Sequence, residues 1–322
     1  MKVFFDTNIW RYIADSEAFN ALVEAASSNG IELVVAPALV HEVRQLRNDI
    51  LRKKILNIIT SPILLRLMPE AYLEAEDIKK VIEKYRRGWL TQSPDRSECN
   101  LLIEDFKKIE GGYWGNAEND ISPPATDESQ RGELEHELAQ QESKEIRARI
   151  NDSKSVLPAS LDLKEVYFPL TVEDSESDRV FVEYWRAQSL YHFKAEFKVY
   201  TSPYREWLDY FIDVSKIESQ SDSLAELWYN EISSSELPRQ WLRGAFEYLQ
   251  CFHKITSGTP GDSQLSSHLI DVDVVMSADK NFIRFVKQCR KDAPFQIAQE
   301  YLISAGSIGV EEVMRHMSEL NS

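Results

Sequence analysis

The 322-residue chain is 43% hydrophobic and 28% charged, the balance of a soluble globular protein with room for one large domain or two ordinary ones. It contains no run of about eighteen apolar residues, which excludes a membrane-spanning helix, and its first apolar run, Val3 to Phe5, is too short for a signal peptide; a cytoplasmic location is expected. A formal net charge of −16 excludes bulk attraction to a phosphate backbone, so contacts with nucleic acid must be local or supplied by a basic partner, or else the acids serve to bind metal.

In chain order, KVFFD reads as a short buried strand that ends on Asp6. The stretch SEAFNALVEAASSNG reads as a helix, with Ser16 as its N-cap and Gly30 as its stop. IELVVAP is a second strand, closed by Pro37. After it, residues 38–60 predict one long amphipathic helix with Arg44, Arg47, Arg52, Lys53 and Lys54 on its outer face. Strands separated by helices predict a parallel sheet.

The middle of the chain differs in style. EDIKKVIEKYRRGWL and SECNLLIEDFKKI carry helical spacing, whereas 111–130, with two adjacent prolines, reads as a flexible loop and the charged segment after it as a solvated helix. The aromatic-rich runs 179–200 and 205–217 read as core helices, with a base-stacking surface as the alternative. Near the end, LPRQWLRGAFEYLQCFHKI predicts a helix, SGTPGDS a turn, QLSSHLI a short helix, VDVVMS a strand, NFIRFVKQCRK a helix, PFQIAQEYLIS a last strand and GVEEVMRHMSEL a terminal helix. The three cysteines, Cys99, Cys251 and Cys289, form no C-x-x-C pair and read as ordinary thiols.

Two strands, VFF and VVMS, lead into aspartates, Asp6 and Asp279. The carboxyl ends of parallel strands form the ligand crevice of an open sheet, so acids distant in sequence can meet there. Glu42 lies one turn into the helix after the second strand, Asp262 opens a helix after Gly261, and Asp273 begins the VVMS strand. Carboxylates gathered in one crevice raise one another's pKa unless a cation resolves the conflict. A site without His or Cys suits Mg²⁺ or Mn²⁺ rather than zinc. Taken singly, each acid has a plainer reading: Asp6 and Asp262 as helix caps, Glu42 as a solvated acid, Asp279 as a turn residue and Asp273 as simply exposed. His268 reads as a packed residue rather than a ligand.

FFDTN, APALVHEV and GDSQLSSHLIDVDVVMSADKNF, in that order, resemble the PIN-domain nucleases, including toxin-like ribonucleases. The resemblance covers about 1–60 and 241–322. It implies an α/β fold with a three-layer α/β/α, parallel-sheet core built from 1–64 and 241–322; the segment 65–240 between them, mostly helical and acidic by its own periodicity and charge, departs from the small, compact members and reads as a large insertion. It also implies catalysis and metal ligation by Asp6, Glu42, Asp262 and Asp279, with Asp273 as a further ligand. Thr7, Asn8, Ser277 and Asn281 would support these acids from behind, Asn281 standing where many members carry a second acid.

The activity so implied is Mg²⁺- or Mn²⁺-dependent endonucleolytic hydrolysis, with single-stranded RNA favoured over single-stranded DNA and a toxin or defence effector as its setting. Arg44, Arg47, Lys280, Arg284 and Lys287 are the nearby candidates for contact with substrate phosphates. The competing expectation is a PIN-like scaffold whose acidic insert docks a regulatory, antitoxin-like protein. An aspartyl-nucleophile phosphatase ranks lower, because that chemistry wants a second acid where Asn8 stands. The residues do not fix an oligomeric state.

Overall fold

A computed structural model describes residues 1–92, 94–120, 141, 144, 145, 148, 162–171, 179–198, 203–253 and 259–320. Its centre is a five-stranded sheet in the order β3-β2-β1-β6-β7, in which every neighbouring pair is parallel. The strands are β1 (Lys2–Phe5), β2 (Glu32–Val35), β3 (Leu65–Arg66), β6 (Val274–Ser277) and β7 (Gln299–Leu302). β1 lies in the middle, with Phe4 opposite Val34 on one side and Val275 on the other. The central strands β1 and β6 are buried on both faces, which is why they read as unbroken apolar runs rather than alternating ones. The chain is thus a mixed α/β protein, as expected. Among the described residues no helix is long and apolar enough to cross a membrane.

Local signals explain most of the element boundaries. Helix Phe19–Ser28 stops where expected: Gly30 adopts a positive φ of 60°, and the Ile31 N–H reaches back to the Ala26 carbonyl at 2.9 Å. Its start differs, because Ser16 closes the preceding helix Thr7–Asp15 instead of opening the next one. The long helix predicted after β2 is two helices, Pro37–Arg44 and Asp49–Ile59. Asn48 restarts the chain by accepting the Leu51 N–H at 3.1 Å, a side-chain cap that competes with continuous helix.

The middle of the chain is largely helical, with three departures from expectation. Residues Gly112–Glu118 form a helix that fully buries Trp114, where a loop was predicted; the remainder of that loop, 121–130, lies outside the described residues, as does nearly all of the solvated helix after it. The run at 179 begins with a strand, since β5 (Arg179–Glu183) pairs antiparallel with β4 (Tyr167–Thr171) before helix Tyr184–Lys198. The two-residue β3 extends the parallel sheet just past residue 64. The aromatics of this region serve mainly as core: Phe193 stacks on Trp228 at 4.7 Å, and Trp185, Phe197 and Trp207 are buried. Cys99, Cys251 and Cys289 are buried and in no disulfide, and the Cys251 thiol donates to the Glu247 carbonyl at 3.2 Å.

Near the end, the predicted turn at SGTPGDS contains the start of helix Thr259–Ser266, followed by a short 3₁₀ turn, Ser267–Ile270. Helix Lys280–Asp292 follows β6 directly, and helix Ser307–Glu319 closes the chain after β7.

Candidate metal centre

Asp6 stands one residue beyond β1 and caps helix Thr7–Asp15, receiving the Thr7 N–H on Oδ1 at 2.6 Å. Its other oxygen, Oδ2, receives the Ser277 hydroxyl and the Asn8 amide, each at 2.5 Å. The Ser277 bond crosses from the end of β1 to β6, while Thr7 and Asn8 hold the carboxylate from the helix it caps. The same residues also hold Asp279. Ser277 Oγ accepts the Asp279 N–H at 2.9 Å, and Asn8 Oδ1 accepts the Ala278 N–H at 2.9 Å. Asp279 in turn caps helix Lys280–Asp292, its Oδ1 accepting the Asn281 N–H at 2.6 Å and the Phe282 N–H at 3.1 Å. Asn281 therefore contributes its backbone, while its side chain is exposed.

Glu42 arrives from helix Pro37–Arg44 and accepts the Thr7 hydroxyl at 2.7 Å. Asp262 arrives from the first turn of helix Thr259–Ser266. The preceding residue, Gly261, lies beside Glu42: a Cβ added there would stand in ordinary contact, 3.8 Å from Glu42 Oε2. Four acids from four separate segments thus converge at the carboxyl edge of the sheet.

Their electrostatics record the convergence. Burial, then the charges of Asp6 and Asp279, push the Glu42 carboxyl up to about 7. Asp262 is driven well above the ordinary carboxylate range by burial and by Asp6, Asp279 and Glu42. Asp6 is also raised, by burial first and by Asp279, although Ser277, Thr7 and Asn8 pull it the other way. The charges that bear on Glu42 and Asp262 are all negative. Such a set is short of positive charge. Nevertheless, among the described residues no three His, Cys, Asp or Glu side chains stand close enough together to grip a metal ion as placed.

Asp273 is not part of this group. Its Oδ2 accepts the Lys2 N–H at 2.7 Å, and its own N–H donates to the Lys2 carbonyl at 2.9 Å. It therefore sits at the amino end of β1 and β6, about 13 Å of strand away from the other acids at some 3.3 Å per residue. The expectation that it ligates metal with them is corrected accordingly: an acid before a strand and an acid after it lie at opposite sheet edges.

Of the predicted phosphate contacts, Lys280, Arg284 and Lys287 are exposed on helix Lys280–Asp292, which begins at Asp279. Lys291 continues the row and was not anticipated, although the spacing 280, 284, 287, 291 marks one helical face. Arg284 Nη1 lies 3.3 Å from His253 Nε2. Arg47 is exposed beyond helix Pro37–Arg44, and Arg44 is half-buried at that helix's end. His268 is buried against Phe4 and near Asp271, outside the acid group.

No family model, curated protein or solved structure matches the chain.

Proposed function

We propose that the chain is a PIN-like, divalent-cation-dependent endonuclease acting on single-stranded RNA. The observation that carries this reading is the meeting of Asp6, Glu42, Asp262 and Asp279 at the carboxyl edge of a parallel sheet, three of them held above their usual pKa by burial and by one another. A three-layer core around that sheet, with the 65–240 region as an insertion, is the architecture that accompanies it. The donor set is entirely oxygen, which fits Mg²⁺ or Mn²⁺. Asp6, Glu42 and Asp279 would hold the principal ion, with Asp262 completing the set. Bound there, the ion supplies Lewis acidity toward a phosphate and its attacking water.

The chain's own residues do the rest. Ser277, Asn8 and the Thr7 amide fix Asp6, while the Thr7 hydroxyl fixes Glu42. Such outer partners keep ligands oriented before a cation arrives. Lys280, Arg284 and Lys287, rising from the same edge, offset substrate phosphates locally in a chain that is acidic overall. The preference for RNA, and the setting of an effector held in check by a partner protein, rest on the family resemblance alone.

A scaffold role for the acidic insert is the second reading, favoured by the absence of a closed ligand group among the described residues. Incubation with Mn²⁺ and single-stranded RNA or DNA separates the two. Cleavage that falls about a hundredfold or more in Asp6→Asn and Asp279→Asn, beyond the usual loss from outer partners, supports the nuclease. Undiminished cleavage by either variant sinks the site assignment, and no cleavage by the wild-type chain favours the scaffold.

A further inference from the structure

The β4–β5 hairpin carries an aromatic face that core packing does not explain. Tyr167 is 52% exposed and Phe181 50%, whereas Val182, on the opposite face of the ribbon, is buried. The register sets Tyr167 opposite Glu183 and Pro169 opposite Phe181, so the two rings are diagonal neighbours on one face, about 7–8 Å apart. Two large rings left side by side in water forgo the stabilisation that burial would give them, and an open π-face is what an unpaired base stacks on.

The hairpin stands where the basic row ends. The turn before it, Leu163–Glu165, packs on helix Lys280–Asp292, and the Leu163 N–H donates to the buried Asp292 carboxylate at 3.0 Å. The same carboxylate takes the Gln288 amide at 2.6 Å, which fixes the base of the hairpin to the last turns of the helix. Along that helix Lys280, Arg284, Lys287 and Lys291 run about 16 Å away from Asp279, and exposed Lys164 follows in the turn itself. Positive charges therefore lead from the acid group to the two rings. Glu183, on the face that carries the rings, is paired with Arg186 at 2.5 Å, so its charge is offset where a phosphate would pass.

We infer that the single strand cleaved by the proposed nuclease follows this row and stacks bases on Tyr167 and Phe181; the inference rests on the nuclease reading of the acid group. The hairpin is then a single-strand platform within the 65–240 segment, outside the acid group. A duplex keeps its bases stacked on one another and has none to offer such a platform. A protein partner is the less favoured occupant, because the rings adjoin a line of cations rather than a wider apolar patch.

Fluorescence anisotropy of the full chain with a short labelled oligouridine, in EDTA, tests the platform without cleavage or metal. The oligouridine should bind more tightly than a duplex of equal length. Tyr167→Leu and Phe181→Leu, which keep apolar bulk but remove the ring, should each weaken binding about fivefold or more without changing the slope of log K against log salt. Tyr167→Phe and Phe181→Tyr should bind as the wild type does, and Lys164→Ala should lower the salt slope by about 0.7. Both rings are half exposed, so these variants keep the fold. Leucine variants that bind as the wild type does, or a wild-type chain that does not bind oligouridine, would overturn the platform. Cleavage of RNA by such leucine variants at the wild-type rate would overturn it while sparing the nuclease reading. Ring-dependent binding without any Mn²⁺-dependent cleavage would support the platform and sink the nuclease instead.

Discussion

Ser277 is the residue on which two of the acids depend: its hydroxyl donates to Asp6 and accepts the backbone N–H of Asp279. Replacing it with alanine leaves Asp6 Oδ2 to Asn8 alone, and Ser277→Ala is expected to weaken Mn²⁺ affinity about 10- to 100-fold while leaving the fold intact. Direct Mn²⁺ titration checks this, and unchanged affinity would remove Ser277 from its supporting role. Glu42 adds a pH signature. In the folded chain it keeps its proton to about 7, against 4.5 when unperturbed, so between those values the folded state binds more protons than the unfolded one. Its contribution to stability is therefore full below about pH 4.5 and is lost as pH rises through about 7. Asp6 and Asp262 act in the same direction. Thermal unfolding of the metal-free protein should show Tm falling over that window. Glu42→Gln should flatten the fall, and an equally steep profile in the variant would mean that Glu42 does not set it.

Between elements, Arg239 is the principal tie. It reaches from helix Pro238–Gln250 to Asp77 of helix Glu70–Tyr85 at 3.3 Å, to both oxygens of Asp271 at 2.7 and 2.8 Å, and to the Ser267 carbonyl at 2.7 Å. Arg239→Ala would strand buried acids and should cost about 3–5 kcal/mol in denaturant unfolding. Burial alone would raise Asp271, but His268 and Arg239 together hold it at about 2, below its ordinary 3.8. Its stabilisation is present above about pH 3.8 and lost as pH falls toward 2, a window separate from that of Glu42. Gly244 lets helix Pro238–Gln250 lie close to the start of helix Tyr184–Lys198, since a Cβ there would stand 3.1 Å from the Trp185 Cα. Gly244→Ala should cost about 1–3 kcal/mol, and a neutral result would mean that the helices can part.

The same elements show what was legible beforehand. β1, β2 and β6 are legible because buried parallel strands are short apolar runs with sharp ends, and Asp6 and Asp279 because they sit at those ends; β7, QEYL, is a partly exposed edge strand marked only by the segment around it. Glu42 and Asp262 followed from their places on the adjoining helices. Asp273 misled because a strand's two flanks look alike in sequence although they lie at opposite edges of the sheet. β3 is defined by pairing with Val34 and Val35 rather than by its own composition, and the β4–β5 hairpin was hidden by aromatics that also suit a helix. The break at Asn48 turns on one side-chain bond that helical periodicity does not encode.

At the scale of the whole molecule, a net charge of −16 is set against an exposed basic row, Lys280, Arg284, Lys287 and Lys291, on the helix that begins at Asp279. If that row carries single-stranded nucleic acid, changing Lys280, Arg284 and Lys287 together to alanine should lower the slope of log K against log salt by about 2, at about 0.7 per phosphate. Binding that keeps its salt dependence would place the strand elsewhere. On the proposed reading, Asp6, Glu42, Asp262 and Asp279 bind one divalent-cation centre together. Electron paramagnetic resonance titration of Mn²⁺ tests it most directly, because bound and free ion are counted without any substrate. The wild-type chain should take up Mn²⁺ saturably, and Asp6→Asn and Asp279→Asn should release it. Mn²⁺ that stays free with the wild-type chain, or that binds both variants equally well, would contradict the account.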